Sequence, residues 1–329
     1  MSEKTLAAGA ARTDERAGEA WSWGPVLTNL ALPIAVVLLA LFFYTQAPVF
    51  LTLNNWISIS VQVATLMTIA VPFAILLMAG KVDLGVGSLL GFSGVVAGLL
   101  FPHLGVTLTI VVTLLVGVGF GLLNGVLVGW FAMSPIIVTL GTLTLLRGLG
   151  QWLSPHPLFG FPESFSYLGY GRVAGLPILT WIMLGVLVTG ILVMRYTALG
   201  RHTVAIGVNE RAAYLVGIRV KLTVILLYVM VGLGAALAGL MSIARINSAP
   251  SGTLGVGMEL GVLTAVLLGG IPFTGGKGSL LRVALGVWLL GMLSNGLILM
   301  NMPTEASLMI TGIVLVLAAG LDVLRRRRG

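Results

Sequence analysis

GVTLTIVVTLLVGVGFGLLNGVLVGW, residues 105–130, is the stretch on which the fold turns. Its apolar run from Val106 to Val118 shows no alternation of period two, so it reads as helix and not as a strand of a membrane barrel. At 1.5 Å per helical residue the whole stretch 105–130 is long enough to span the about 30 Å of hydrocarbon in a bilayer. Gly117, Gly121, Gly125 and Gly129 recur every four residues and stack on one helix face, a stripe that lets a second helix approach closely.

The remainder of the chain repeats this character. Hydrophobic residues make up 58% of the 329 and charged residues 9%, too little polar surface to coat a water-soluble globule. Apolar runs bounded by Gly, Pro and charge mark helices near 27–45, 56–78, 86–101, 105–130, 134–153, 177–194, 222–242, 257–271, 279–300 and 305–322. The expectation is an all-α integral membrane protein with about ten transmembrane helices in a single domain over 27–322. A polar tail of mixed charge precedes it over 1–26, read as disordered and cytoplasmic and unlike a secretory signal, and a basic tail follows over 323–329.

The basic residues assign sides. With the amino terminus inside, fifteen of the eighteen Lys and Arg residues fall in internal segments, and only Arg147, Arg172 and Arg245 fall outside. Both termini are therefore expected in the cytoplasm. The segment 257–271 is the short one, since its core Leu260–Leu268 needs neighbouring glycines to cross. A re-entrant path would strand Lys277, Arg282 and Arg325 to Arg328 outside, so a short or partly broken crossing is preferred.

Most chemistry is excluded by the residues present. Cysteine is absent, and His103, His156 and His202 are too scattered for a metal cluster. The net charge of +8 fits the positive-inside bias and gives no reason to expect nucleic acid. Gly275-Gly276-Lys277-Gly278-Ser279 lacks the first glycine of a P-loop and has glycine where the magnesium-binding hydroxyl belongs, so ATP hydrolysis is not expected here. Asp83, Glu259 and Glu305 are expected near an interface, which leaves little chemistry for coupling to an ion gradient.

Uncharged polar groups are the candidates for a solute route. Ser58, Gln62 and Thr65 share one face of a helix, as do Thr304, Ser307 and Thr311, and such groups exchange hydrogen bonds with a hydroxyl-rich solute without selecting charge. Many Ser and Thr residues in membrane helices bond only their own backbone, which is the competing reading. Asn124, beside the glycine stripe, and Asn295, before Gly296, admit both interhelical hydrogen bonding and solute contact.

The internal loop 195–221 carries a compact helix signal. Asn209 caps, Glu210 suits the positive amino-terminal end, Ala212 and Ala213 propagate, and Gly217 stops the helix. Ala212, Tyr214, Leu215 and Ile218 give it an apolar flank suited to a partner's groove.

At this point the chain resembles, from about Asn54 to Asp322, the permease subunits of ABC importers for ribose, xylose, arabinose, galactose and autoinducer sugars. The strings that carry the resemblance are Ala79-Gly80-Lys81-Val82-Asp83-Leu84-Gly85-Val86-Gly87-Ser88 and Pro135-Ile136-Ile137-Val138-Thr139-Leu140-Gly141-Thr142. With them go Ala205-Ile206-Gly207-Val208-Asn209-Glu210-Arg211-Ala212-Ala213 and Leu268-Gly269-Gly270. Lys81 departs from the family, which has an apolar or small residue beside the Asp, and Pro272 separates the two late glycine strings.

The resemblance implies a multi-pass protein of the bacterial cytoplasmic (inner) membrane that carries no cofactor of its own. Its partners would be cytoplasmic ATPase subunits that bind ATP and magnesium, a second permease copy or sister permease, an external solute-binding protein and membrane lipid. Gly207 to Gly217 would be the ATPase-coupling helix, and Thr139 and Thr142 join Asn124 as candidates for the route. The external loop 154–176, with Phe159, Phe161, Phe165, Tyr167 and Tyr170, is either a landing surface for the binding protein or an interfacial aromatic belt. The alternatives are an ATP-independent carrier or channel, and an intramembrane enzyme for which no clustered nucleophile, metal or acid pair is present.

Overall fold

The computed structural model describes residues 23–303, 305, 306, 309, 310 and 312–317. The basic tail, most of the expected amino-terminal tail, and Thr304, Ser307 and Thr311 of the last polar stripe lie outside the described residues. Residues 23–26, assigned to the tail, open the first helix.

Among the described residues the chain is all-α apart from four two-residue strands. Its helices are α1 (Trp23–Gln46), α2 (Leu53–Met78), α3 (Val86–Gly129), α4 (Pro135–Leu153), α5 (Glu163–Tyr170), α6 (Ile178–Tyr196), α7 (Ala198–Val208), α8 (Glu210–Leu215), α9 (Val220–Ile246), α10 (Met258–Leu268) and α11 (Leu280–Leu299). Residues 312–317 are helical again. Six of these, α2, α3, α4, α6, α9 and α11, are long and apolar enough to cross a membrane.

The difference from ten expected segments has local causes. The range of α3 holds two helices, as the segments 86–101 and 105–130 lead one to expect: they meet at a kink at Gly105, where φ 67° and ψ 178° leave helical space three residues after Pro102, and α3 counts once among the six only because no gap separates them. The apolar part of α1 is Leu32–Gln46, and α10 has only 11 residues. Two helices were not expected: α5 within the loop 154–176, and α7, whose cap Thr197 accepts from the Gly200 amide.

The centre is α2, where 83% of the most apolar stretch is buried, against 22% for α6 on the periphery. No pair of helices packs more extensively than α3 and α9. The glycine stripe lies in this contact: a Cβ at Gly121 would sit 2.5 Å from the Tyr228 carbonyl oxygen, and one at Gly125 2.8 Å from Ile225 Cα. Gly117 likewise faces Ala236 and Gly232, and Gly129 faces Lys221 and Val224. On the same helix a Cβ at Gly119 meets nothing within 4 Å.

The loops sort to two ends. At one end, the Gly276 amide donates to the Met78 carbonyl at 2.8 Å, Lys81 pairs with Glu210, and Lys221 lies 4.9 Å from the centre of the Trp130 ring. At the other, Leu158–Phe159 pairs antiparallel with Ser248–Ala249, Ser251 Oγ donates to the Ser154 carbonyl, and Phe101 packs on Phe161 and Phe165. These are the two groups of loops that the charge count separates.

Gly121→Leu should fold poorly, because the added side chain must separate α3 from α9, an overpacking cost of at least about 1–3 kcal/mol. Gly119→Leu should be tolerated. Thermal unfolding of the detergent-purified variants, followed by monodisperse elution, checks the pair; equal melting temperatures would remove the stripe's packing role.

Candidate functional site

The end bearing Lys81 and Glu210 is built on α7 and α8. Asn209 ends α7 and caps α8, its side-chain oxygen accepting from the Ala212 amide at 2.9 Å. Gly217, at φ 86°, turns the chain away after α8. Gly207 is where α7 meets the rest of the end: a Cβ there would overlap the Met78 carbonyl oxygen and the Gly276 backbone. Ala213 faces inward and is buried, while Tyr214, Leu215 and Val216 are 70%, 77% and 79% exposed. The apolar flank is therefore Tyr214 to Val216, and Ile218, expected within it, is half-buried.

Lys81 Nζ lies 2.9 Å from Glu210 Oε2. This pair ties α8 to the loop 79–85, and both residues line a cavity of about 670 Å³ with Arg211, Tyr214, Trp130 and Lys221. The ion pair could not be read from spacing, since its members are far apart in the chain.

From Lys81 the loop turns back into the bundle. Asp83 is buried by this turn, although Lys81, two residues before it, is at the surface of that end. Its Oδ1 accepts from the Gly85 amide at 2.8 Å, and its Oδ2 accepts from Asn124 Nδ2 at 3.4 Å. Asn124 Nδ2 also donates to Thr142 Oγ1 at 3.4 Å, and Tyr228 donates from its hydroxyl to the Val82 carbonyl at 2.8 Å. Asp83, Asn124 and Thr142 thus form one buried cluster joining loop, α3 and α4. Burial, outweighing the Gly85 amide and the Asn124 side chain, raises the Asp83 pKa from 3.8 to about 6.

The other route candidates are dispersed. Ser58, Thr139 and Thr142 donate to their own helix backbone at Asn54, Pro135 and Thr139. Thr65 is buried, and Gln62 Oε1 is buried without a partner. Asn295 accepts from Asn55 Nδ2 at 2.9 Å and so joins α11 to α2, an interhelical bond like that of Asn124. Ser88 donates to the Gly85 carbonyl in the first turn of α3. Gly80 caps α2 with φ 72°, and Gly269 and Gly270 end α10, where a Cβ on Gly269 would sit 2.8 Å from Val283 Cα.

Glu259, expected near an interface, is carried into the bundle by the chain before it. Residues 250–257 descend from the strand pair at 248–249 along α3, Leu254 facing Gly91 and Gly255 facing Gly87, before α10 starts. A Cβ at Gly87 would overlap Glu259 Oε2. Eleven residues of α3, about 16 Å, separate Gly87 from Gly98 at the strand-pair end, so Glu259 lies well inside the bundle. Gly255 and Gly257, at φ 77° and 76°, make the descent.

Residues 55–319 match the family described as branched-chain amino acid transport system / permease component. The chain belongs to this family. It is a multi-pass membrane protein, and several of its relatives are permeases named for sugars. It is 34% identical over 295 residues to the ribose import permease protein RbsC of Escherichia coli, covering 88% of this chain and 92% of that one. It is 36% identical to the L-arabinose ABC transporter permease protein AraH of Azospirillum brasilense, over 90% and 88%, and 33% identical to the D-allose transport system permease protein AlsC of Escherichia coli, over 88% and 89%. No solved structure matches.

The raised Asp83 pKa makes a prediction for this permease. A carboxyl protonated more readily when folded contributes stability that is full below about pH 4 and lost as pH rises through about 6, on the order of 3 kcal/mol in all. Asp83→Asn keeps the acceptor for Gly85 and carries no charge. Its melting temperature should exceed that of the wild type more at pH 8 than at pH 5; a difference independent of pH would contradict the burial of an ionising carboxyl.

Proposed function

We propose that this chain is the membrane-spanning permease subunit of an ATP-binding-cassette importer for a sugar or similar small polar solute. The observation that carries the reading is the exposed apolar face of α8. Tyr214 and Leu215 on α8 and Val216 at its C-cap are presented to solvent, on a helix that Asn209, Gly207 and the Lys81–Glu210 pair hold in place. Such a face is a docking surface, and the permease family supplies the occupant, a cytoplasmic ATPase that binds ATP and magnesium. The chain makes and breaks no covalent bond of its own.

In this reading the end with α8 is cytoplasmic, both termini lie there, and the chain crosses the bacterial inner membrane about ten times. The descent 250–257 with α10 forms the broken eighth crossing. The loop 154–176 receives the external solute-binding protein, and a second permease copy or sister permease completes the assembly. Sugar is the favoured solute because relatives named for ribose, arabinose and allose match over most of the chain.

Lys81 gives this permease a particular connection. Movement of α8 reaches Lys81 through Glu210, and two residues on it reaches Asp83, Asn124 and Thr142. The pair is partly exposed, so its value lies in alignment more than in stability.

One observation favours a second reading, an ion-coupled carrier: the Glu259 carboxylate inside the bundle. Solute flux in proteoliposomes without any ATPase would establish that reading.

Purification from native membranes should recover an ATPase carrying a complete P-loop. Leu215→Asp with Val216→Asp should reduce the retained ATPase at least tenfold without changing the melting temperature, since both side chains are exposed. Full retention would sink the docking assignment. Lys81→Glu and Glu210→Lys should each lower ATP-driven uptake several-fold, and the charge-swapped double variant should recover most of it; if the swap is no better than the single changes, the pair does not couple.

A further inference from the structure

Arg147 and Glu259 are oppositely charged residues inside the bundle, and neither is used by the coupling end. Arg147 was expected outside, but it lies within α4, about a turn and a half before its end at Leu153. Its depth is set by its neighbours on that helix: Thr142 packs at Gly85, and Gly150 approaches Phe92. That brackets Arg147 at the level of residues near 89 of α3, within about one helical turn of Gly87 and therefore of Glu259. The loop that leads to Glu259 touches α4 nearer its end, where Ser251 and Gly252 lie against Gly150 and Gln151.

Each side chain has a buried polar atom without a partner, Arg147 Nη2 and Glu259 Oε2. Beside them the surface is open: Thr144 and Gly148 on α4, and Val256 and Leu260 around Glu259, are exposed. Hydrocarbon cannot solvate an ionised side chain at this depth, so an open face carrying two of them borders water or protein and not lipid. The broken helix serves the same end, because irregular backbone at membrane depth is tolerated where it lines a cavity.

We propose that Arg147 and Glu259 form a polar station on the solute route, built to hold a neutral polyhydroxylated molecule. Hydroxyls donate to the Glu259 carboxylate and accept from the Arg147 guanidinium, and each hydroxyl can do either. An anionic solute would be repelled by one member of the station and a cationic solute by the other. Gly87 has no side chain where Glu259 stands, which leaves the carboxylate its place. The proposal rests on the importer reading and adds where that importer contacts its solute.

The chain contains no cysteine, so single cysteines can be introduced without removing others. Glu259→Cys, Arg147→Cys and, as a lipid-side control, Val188→Cys on α6 would be purified with the attached ATPase and exposed to a charged, water-soluble methanethiosulfonate. Glu259→Cys and Arg147→Cys should react at least tenfold faster than Val188→Cys. Reaction no faster than the control at either position, in complexes that retain the ATPase, overturns the station while leaving the importer reading intact. Loss of ATPase from the wild type would instead strike the importer reading. For whichever of ribose, arabinose and allose the wild-type complex imports, Glu259→Leu should lower uptake at least tenfold and Glu259→Gln less than threefold. Wild-type uptake by Glu259→Leu overturns the proposal.

Discussion

The contact between α3 and α9 holds the other parts in register. Lipid tails are as apolar as Leu, so no hydrophobic force drives two spanning helices together, and close van der Waals packing must do so instead. The stripe Gly117, Gly121, Gly125 and Gly129 brings the α9 backbone against the α3 backbone, and Gly232 on α9 returns the approach toward Gly117 and Gly121. Higher on α9, Gly239 meets the Leu90 carbonyl oxygen on the other half of α3. Because α9 lies so close, the Tyr228 hydroxyl reaches Val82 and pins the loop 79–85. That loop then presents Asp83 to α3 and α4 and Lys81 to α8.

Polar groups inside the bundle divide into two kinds. Asn55 with Asn295 and Ser60 with Thr180 are neutral pairs that join α2 to α11 and to α6, each satisfying the other at 2.9 and 2.8 Å. Asp83 is kept among amide and hydroxyl partners and has a raised pKa, so its cost is limited by the proton it can hold. Arg147 and Glu259 are different, since each keeps a buried atom with no partner beside an open face. Asn124 and Gln62 also keep a buried atom without a partner, but Arg147 and Glu259 are the charged side chains among the described residues that do so.

Much of this architecture could be read in the sequence, and the parts that could not have physical reasons. The glycine stripe was visible because helical periodicity puts four residues on one face, and its partner was not, because α9 is about a hundred residues away. Asn209, Glu210 and Gly217 announced α8 through local capping chemistry, but its apolar face includes Val216, since only packing shows that Ile218 turns inward. Helix α7 was hidden because Arg201, His202 and Thr203 interrupt its apolar residues, though Thr197 carried its capping signal. Glu259 is misplaced by the sequence because a Gly-rich stretch reads as a loop at a membrane surface, and nothing local says that it folds back among the helices; the burial of Asp83 has the same cause.

By itself the sequence determined the solvent, the helical class and which loops share an end, because apolar length, periodicity and charge are local properties that lipid acts on directly. It also determined the family, through strings of residues spread along most of the chain. The tertiary structure alone decided which side chains meet. It paired Lys81 with Glu210, gathered Asp83, Asn124 and Thr142, and brought Glu259 against Gly87. Those relations depend on how closely helices distant in sequence approach and where glycines let the backbone leave the helix, and neither distance is written in any one segment.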